Sequence, residues 1–502
     1  MKKTLFIKNA AILTVSSLVL RFAGIIFKVW LAAKIGAEGI GLYQLVFSVY
    51  MFSATFATSG ISTAVTRLIS EELAVGNKSG IRRILKKCCG ISLLIAVFSI
   101  AVLFFGGEVM ANRLLHDARA ALSLKILGFS LPFMGFCSCF KGYFIARRKA
   151  APSSCSQLLE QAVRIVLVLC LVTKYNRLGL EYTCAIVLLG DTVAEAVSCI
   201  YLYTRYKFDF KKVKSINTYR KSLSLLSQIT HIALPITAGR YLNSLLRMCE
   251  NVLVPLFLSA SGNGISLFGM IKGMALPILF FPSTLLNALS TLLIPEMSEA
   301  AIQGKFGVVR SVAYRIIKIT SLVAIIFSAL FFVGGRALGV LIYKDEGVGF
   351  LLCALSPIVL FMYLDAVCDG ILKGLDQQKY TFWASICDSA IRIILIVLFL
   401  KRFGIYGFIG IMYFSNLLTG VLNTRRLLKV SQLKIDLVQI FLIPVCLSFS
   451  ICFAIKTLLG LFLNPYGIVY IASLCAICGI LYLALLWVMG IIDYDDIGFI
   501  RK

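Results

Sequence analysis

Acidic residues are scarce in this chain. Its 502 residues include 23 Asp and Glu against 50 Lys and Arg, for a formal net charge of +27. Histidine occurs only twice, as His116 and His231, far apart and each near the end of an apolar run. No Walker A, HExxH or GxSxG pattern occurs, and no polar loop offers paired acids. These absences argue against hydrolase, metalloprotease and nucleotide-driven chemistry and predict a protein that is not an enzyme. Cysteine is plentiful, with 16 residues, but never in metal-ligand spacing. Cys88-Cys89 and Cys137-x-Cys139 are too close for a CxxC-type site, so the cysteines read as small buried apolar side chains. No metal and no cofactor are expected. No stretch has the composition of a separate soluble domain. The basic residues are split among short loops, which argues against nucleic acid as a partner.

What fills the chain is apolar sequence. Hydrophobic residues make up 60% of it, and the mean hydropathy is +0.93. Runs of 18 or more apolar residues recur along almost its whole length, the pattern of an all-α polytopic membrane protein. Spanning strands would instead alternate in short segments. The sequence suggests about 14 transmembrane helices, at 8–33, 40–69, 88–107, 121–146, 154–173, 181–204, 229–258, 264–294, 312–333, 348–373, 380–401, 404–424, 436–457 and 466–490. Met1-Lys2-Lys3 before an apolar run resembles a signal peptide, but Arg21 and Lys28 interrupt the run and its length suits an uncleaved first helix. An even count puts both termini on one side. The loops of that side collect the cations, among them Arg82, Arg83, Lys86, Lys87, Arg147, Arg148, Lys149 and the cluster from Arg205 to Lys221. The positive-inside rule then places both termini in the cytoplasm.

An internal repeat appears at an offset of 228. Ser62-Thr63 matches Ser290-Thr291, Ser70-Glu71 matches Ser298-Glu299, and Gly76 matches Gly304. Arg82 matches Arg310, Gly142 matches Gly370, and Glu160 with Arg164 matches Asp388 with Arg392. Matches in one order across five helices argue for two homologous six-helix halves of the same orientation, a parallel repeat whose binding site lies between them. The expected organisation is an N-terminal six-helix lobe at 1–204, a basic cytoplasmic linker at 205–228, a C-terminal six-helix lobe at 229–430, and two extra helices at 431–502. Five of the ten prolines, Pro235, Pro255, Pro277, Pro282 and Pro295, crowd into helices seven and eight. An interior proline removes a backbone hydrogen bond and kinks a helix, so this part of the second half is expected to line a cavity and move.

Charges inside apolar spans are the strongest functional signal, because each costs at least ~2.5 kcal/mol at mid-bilayer on the insertion scale. Arg240 and Arg247 are seven residues apart, on one helical face and about 10.5 Å from each other. Arg21 and Lys28 repeat that spacing in helix one. Together with Lys272 in helix eight, these four cations are expected to face an internal cavity and bind an anion. Glu250, three residues after Arg247, has two readings: a neutralising partner for Arg247, or a proton or Na⁺ site that gates the arginines. Glu160/Arg164 and Asp388/Arg392 have the spacing of intrahelical ion pairs. Asp191/Glu195 and Asp365/Asp369 put two acids one turn apart, an arrangement that prefers a shared proton or cation. Coupling is therefore expected to H⁺, Na⁺ or the membrane potential.

Certain stretches also carry a family likeness. Gly36-Ala37-Glu38-Gly39-Ile40-Gly41-Leu42-Tyr43-Gln44, Gly273-Met274-Ala275-Leu276-Pro277 and Leu293-Ile294-Pro295-Glu296-Met297-Ser298-Glu299-Ala300 resemble the polysaccharide-transporter branch of the multidrug/oligosaccharidyl-lipid/polysaccharide exporter superfamily. The resemblance covers nearly the whole chain. It implies two six-helix lobes plus two helices, and a flippase for an undecaprenyl-pyrophosphate-linked saccharide, such as lipid II, in peptidoglycan or polysaccharide biosynthesis. It further implies that Arg21, Lys28 and Lys272 match cavity cations that hold the pyrophosphate, and that the last two helices form a groove for the lipid tail. The implied partners are the lipid-linked oligosaccharide, membrane lipids and cell-wall synthesis enzymes, with the chain itself a monomer. The chain departs from the lipid II flippases at Pro277, near which they carry an arginine, and at helix two, where Arg67 lies at the cytoplasmic end rather than in the cavity. The sugar and a vegetative or sporulation role stay open. The alternative is a cation-coupled multidrug exporter of the same superfamily.

Overall fold

The computed structural model describes residues 2–58, 60–175, 179–213, 225–259, 263–433 and 435–492. Residues 214–224 of the expected linker and 493–502 of the last segment lie outside them. Among the described residues there is no strand. The chain divides into two compact units, Met1–Leu256 and Phe257–Lys502.

The first unit contains α1 (Lys2–Thr58), α2 (Ile61–Val75), α3 (Lys78–Val109), α4 (Ala120–Gly128), α5 (Leu131–Ala146), α6 (Ala151–Tyr175), α7 (Leu180–Lys211) and α8 (Leu225–Leu258) as far as Leu256. The second contains α9 (Gly264–Phe268), α10 (Leu276–Phe280), α11 (Ser283–Ile302), α12 (Phe306–Tyr343), α13 (Glu346–Leu355), α14 (Val359–Gly374), α15 (Gln378–Leu395), α16 (Lys401–Ser431), α17 (Ile443–Phe462) and α18 (Ile468–Val488). Four π-helical turns interrupt them, at Met110–Leu114, Gly269–Ala275, Ile396–Leu400 and Val438–Leu442. The last three lie just before Pro277, the Gly404 break and Pro444. A missing N–H or a turned backbone leaves carbonyls there without their usual i+4 donor.

By length and composition, nine helices among the described residues can cross a membrane, or ten if the bent pair α4–α5 is one span. Two of the nine are too long for a single crossing. Val15–Val75 has 61 residues and Gln378–Ser431 has 54, roughly 90 and 80 Å of helix against a hydrocarbon core of about 30 Å. Both are broken at glycines. α1 turns at Gly36 (φ 70°, ψ 179°), and α16 turns at Gly404 (φ 53°, ψ −131°), conformations closed to residues with a Cβ. The expected span 40–69 is itself divided between α1 and α2 at Gly60. A Cβ there would lie 2.4 Å from the Ala233 carbonyl oxygen of α8. The expected span 264–294 is likewise split into α9, a π-turn, α10 and the start of α11. α8 continues as one helix past Pro235 and Pro255, so backbone irregularity falls at Pro277 and Pro282 rather than in helix seven.

The repeat is visible in local geometry. Gly76 and Gly304 are both left-handed, at φ 74° and 71°, each just after a helix. Thr66 Oγ1 donates to the Gly142 carbonyl at 3.1 Å, and one turn beyond the matching positions Ser298 Oγ donates to the Gly374 carbonyl. Each unit has its own apolar core. One groups Ile61, Leu68, Ile81, Tyr143 and Leu202, and another groups Leu330, Leu474, Tyr482 and Leu486. At one end of the first unit, the family-like segment after Gly36 is held by charge. Arg119 NH1 meets Glu38 Oε1 at 2.8 Å, and its NH2 meets Asp117 Oδ2 at 2.7 Å. The Asp117 hydrogen bonds first, and then Glu38, push the Arg119 guanidinium above its ordinary value. At the other end, Asp209 of α7 accepts from Tyr143 at 2.8 Å, Arg147 at 3.0 Å and Lys149, tying α7 to the end of α5.

Candidate functional site

In the first unit a polar cluster forms where α1, α6 and α7 meet. Spacing of four residues stacks Glu160 over Arg164 on α6, and Asp191 over Glu195 on α7. The Glu160–Arg164 contact forms as the spacing predicts, at 3.1 Å from NH2 to Oε1. Arg164 NH1 also donates to Gln161 Oε1 at 3.1 Å. A further contact crosses helices: Arg164 Nε lies 2.5 Å from Asp191 Oδ1. Tyr43 of α1 donates to the other Asp191 oxygen at 3.4 Å. Two turns further along, Tyr50 pairs with Ser130 at 2.6 Å.

Asp191 and Glu195 lie one turn apart on α7, as their spacing predicts, and their surroundings differ. Asp191, only 5% exposed, has a cation of its own in Arg164. Glu195, 8% exposed, makes no hydrogen bond or ion pair among the described residues. The charges acting on it are Glu160, Lys141, Arg164 and Asp191. The arrangement gives Asp191 a cation and leaves the Glu195 carboxyl without an ion pair among the described residues.

The second unit builds a related cluster on α14, α15 and α16. Arg392 bonds Asp388 within α15, and its Nε and NH2 reach Ser415 Oγ of α16 at 3.2 and 2.8 Å. Ser415 in turn donates to Asp388 Oδ1 at 2.5 Å. Asp365 and Asp369 each have a further partner. Asp365 accepts from Asn423 Nδ2 at 2.7 Å, and Asp369 pairs with Lys373 at 2.5 Å. Tyr43, Gln161, Ser415 and Asn423 were not among the expected site residues. The repeat contained a signal for one of them, since the offset of 228 sets Asn423 opposite Glu195.

The expected anion-binding cations lie apart from these clusters. Arg21 is exposed and Lys28 half-buried on the first arm of α1. Arg240 and Arg247 are exposed on α8. None of the four forms an ion pair or hydrogen bond among the described residues. Tyr241 packs on Phe52 and Phe56, with ring centroids 4.5 and 5.4 Å away, and Ser244 accepts from Thr55 at 3.2 Å. α8 is thus seated on the second arm of α1, with Arg240 and Arg247 flanking the contact. Arg247 and Glu250 do not pair, because Arg247 points outward and Glu250 is 4% exposed. Gly24 brings the first arm of α1 against α6, its Cβ position 4.0 Å from Gln161 Nε2, so Arg21 lies one turn from the edge of the Arg164 cluster. In the second unit Lys272 is half-buried in the π-turn before Pro277. Among the described residues no group of three His, Cys, Asp or Glu is placed to hold a metal.

Long apolar helices broken at glycine, carrying charge clusters and exposed cations within their spans, define a multi-pass membrane protein. The chain belongs to the family described as polysaccharide biosynthesis protein, which matches residues 6–301. It is 26% identical over 513 residues to stage V sporulation protein B of Bacillus subtilis (strain 168), covering 99% of this chain and 98% of that one. Its fold is similar to that of lipid II flippase MurJ in an inward closed conformation. The TM-score is 0.71 at 14% identity, over 95% of this chain and 99% of that one. It is also similar to an inward-facing multidrug resistance transporter of the MATE family, with a TM-score of 0.64 at 14% identity over 83% of this chain and 99% of that one. Of these, MurJ is described as a lipid II flippase and the MATE-family protein as a multidrug resistance transporter.

Proposed function

We propose that this chain flips an undecaprenyl-pyrophosphate-linked saccharide, lipid II or a related cell-wall or polysaccharide precursor, across the membrane. The observation that carries the reading is the set of cations Arg21, Lys28, Arg240 and Arg247, which have no ion pair among the described residues. A diphosphate in a low-dielectric cavity requires several fixed cations, and arginine offers it bidentate contacts. Arg21, Arg240 and Arg247 bind the diphosphate, and Lys28 and Lys272 add charge. The polar headgroup crosses through the protein while the tail stays in lipid, with α17 and α18 as its groove. Fourteen crossings, two six-helix lobes plus two C-terminal helices, with both termini cytoplasmic, complete the topology, and transport proceeds by alternating access.

Coupling rests on the buried acids. Arg164 occupies the position beside Asp191 that a metal cation would need, so proton uptake falls to Glu195, with Glu250 as the second candidate. Asp365 and Asp369 have partners of their own and are the weaker candidates.

Complementation of a cell depleted of its lipid II flippase, scored for precursor at the outer leaflet, tests the reading. Wild type restores the precursor, and Arg21→Ala with Arg247→Ala does not. Equal rescue by both would refute the cationic mechanism. Failure of wild type, together with restored drug resistance, would favour the multidrug exporter.

A further inference from the structure

The end of α15 and the start of α16 form an elbow that the proposed transport cycle does not use. Leu395, Phe399 and Phe403 recur every four residues on the arm before Gly404. Gly407, Gly410, Ile411 and Phe414 recur at three and four on the arm after it. The turn at Gly404 folds the two stripes toward each other around a cavity of about 270 Å³ lined by those seven residues. This lies just below the roughly 300–1,000 Å³ of drug-sized sites and suits a segment of one aliphatic chain. The lining is apolar, and Phe399, Phe403 and Phe414 are 43%, 51% and 49% exposed.

Glycine keeps the groove open. A Cβ at Gly407 would sit 3.0 Å from Phe403 Cβ and 3.2 Å from the Phe399 carbonyl, so a side chain there would push the rings into the space. Gly410 has nothing within 4 Å of its Cβ position. At the tip of the elbow stand Lys401 and Arg402, both exposed and neither in an ion pair among the described residues. The Arg402 guanidinium lies over the Phe403 ring, 5.7 Å from its centroid. A site for negative charge is therefore continuous with a groove for a chain. α17 and α18 contribute no residue to its lining.

We propose that this elbow binds an anionic glycerophospholipid, one acyl chain lying among Phe399, Phe403 and Phe414 and the phosphate meeting Lys401 and Arg402. The groove opens within a membrane-spanning segment, where acyl chain is the ambient solvent. Bilayer phospholipid is the phosphate-headed amphiphile most concentrated there, and the two cations select the anionic species.

The test is native mass spectrometry of the full-length protein purified in detergent and titrated with phosphatidylglycerol or phosphatidylcholine. Wild type is expected to retain phosphatidylglycerol roughly ten- to thirtyfold better, given two cations near the surface. Lys401→Gln with Arg402→Gln should bring the ratio to about one, and both residues are exposed, so folding is not at risk. Gly410→Leu should fill the groove and reduce retention of both lipids. Equal retention of the two lipids by wild type would overturn the proposal, as would unchanged retention in Gly410→Leu. A third titration with a polyprenyl phosphate that outcompetes phosphatidylglycerol would overturn the choice of occupant.

Discussion

The same repeat position does different work in the two units. Each has an acid followed four residues later by arginine, Glu160/Arg164 and Asp388/Arg392, and each uses that arginine to tie its helix to the next. In the first unit the tie is a second carboxylate, Asp191. In the second it is a hydroxyl, Ser415, which also bonds the acid. The neighbouring positions diverge further: Glu195 and Cys137 stand opposite Asn423 and Asp365 at the offset of 228. Unit one therefore buries an acid with no hydrogen-bond partner among the described residues where unit two buries a neutral amide bonded to Asp365. One scaffold supports a version whose helices are tied by an ion pair and a version whose helices are tied by hydrogen bonds.

Substitutions can break or sharpen this contrast. The largest effect is expected from Arg164→Leu, which leaves Glu160 and Asp191 without their cation. Breaking a buried pair this way costs about 3–5 kcal/mol. Arg392→Leu should cost less, about 1–3 kcal/mol, because Asp388 keeps the Ser415 hydroxyl. Thermal unfolding of the two variants in one detergent measures the difference, and equal losses would mean that the units do not differ as argued. Next comes the separation of transport from stability. Arg21→Ala with Arg247→Ala should abolish flipping in the complementation assay yet change stability by no more than about 0.5 kcal/mol each, since both side chains are exposed and without a carboxylate partner. A marked fall in melting temperature would point to a structural role instead. Glu195→Gln gives unit one the amide chemistry of Asn423. It should leave stability within about 1 kcal/mol while flattening the pH dependence of flux, and a retained pH profile would remove Glu195 from coupling. Tyr43→Phe, which removes one long hydrogen bond to Asp191, should leave transport intact and cost about 0.5–1.5 kcal/mol in the same melting assay.

Much of this was legible in the residues. Apolar runs announced the membrane, and the offset of 228 announced two related halves. Spacing of four announced Glu160–Arg164 and Asp388–Arg392, and both contacts form. Where the sequence reading fell short, the missing quantity was the rotation of one helix against another. Asp191 and Glu195 were legible as two acids one turn apart and no more, because only their own helix could be read. The partner of Asp191 comes from α6, and Tyr43 reaches it from α1. Arg247 and Glu250 looked paired for the same reason, and α8 seats itself on Phe52 and Phe56 so that one faces out and the other in.

By itself, then, the sequence determined the solvent of this protein and its helical class, because hydropathy and helical period are properties of a single segment. Only the tertiary structure decided which charges meet and which stay unpaired, and that the stripes on either side of Gly404 close into a groove. Those outcomes depend on packing between helices and on one backbone turn, and no period along a single helix encodes them.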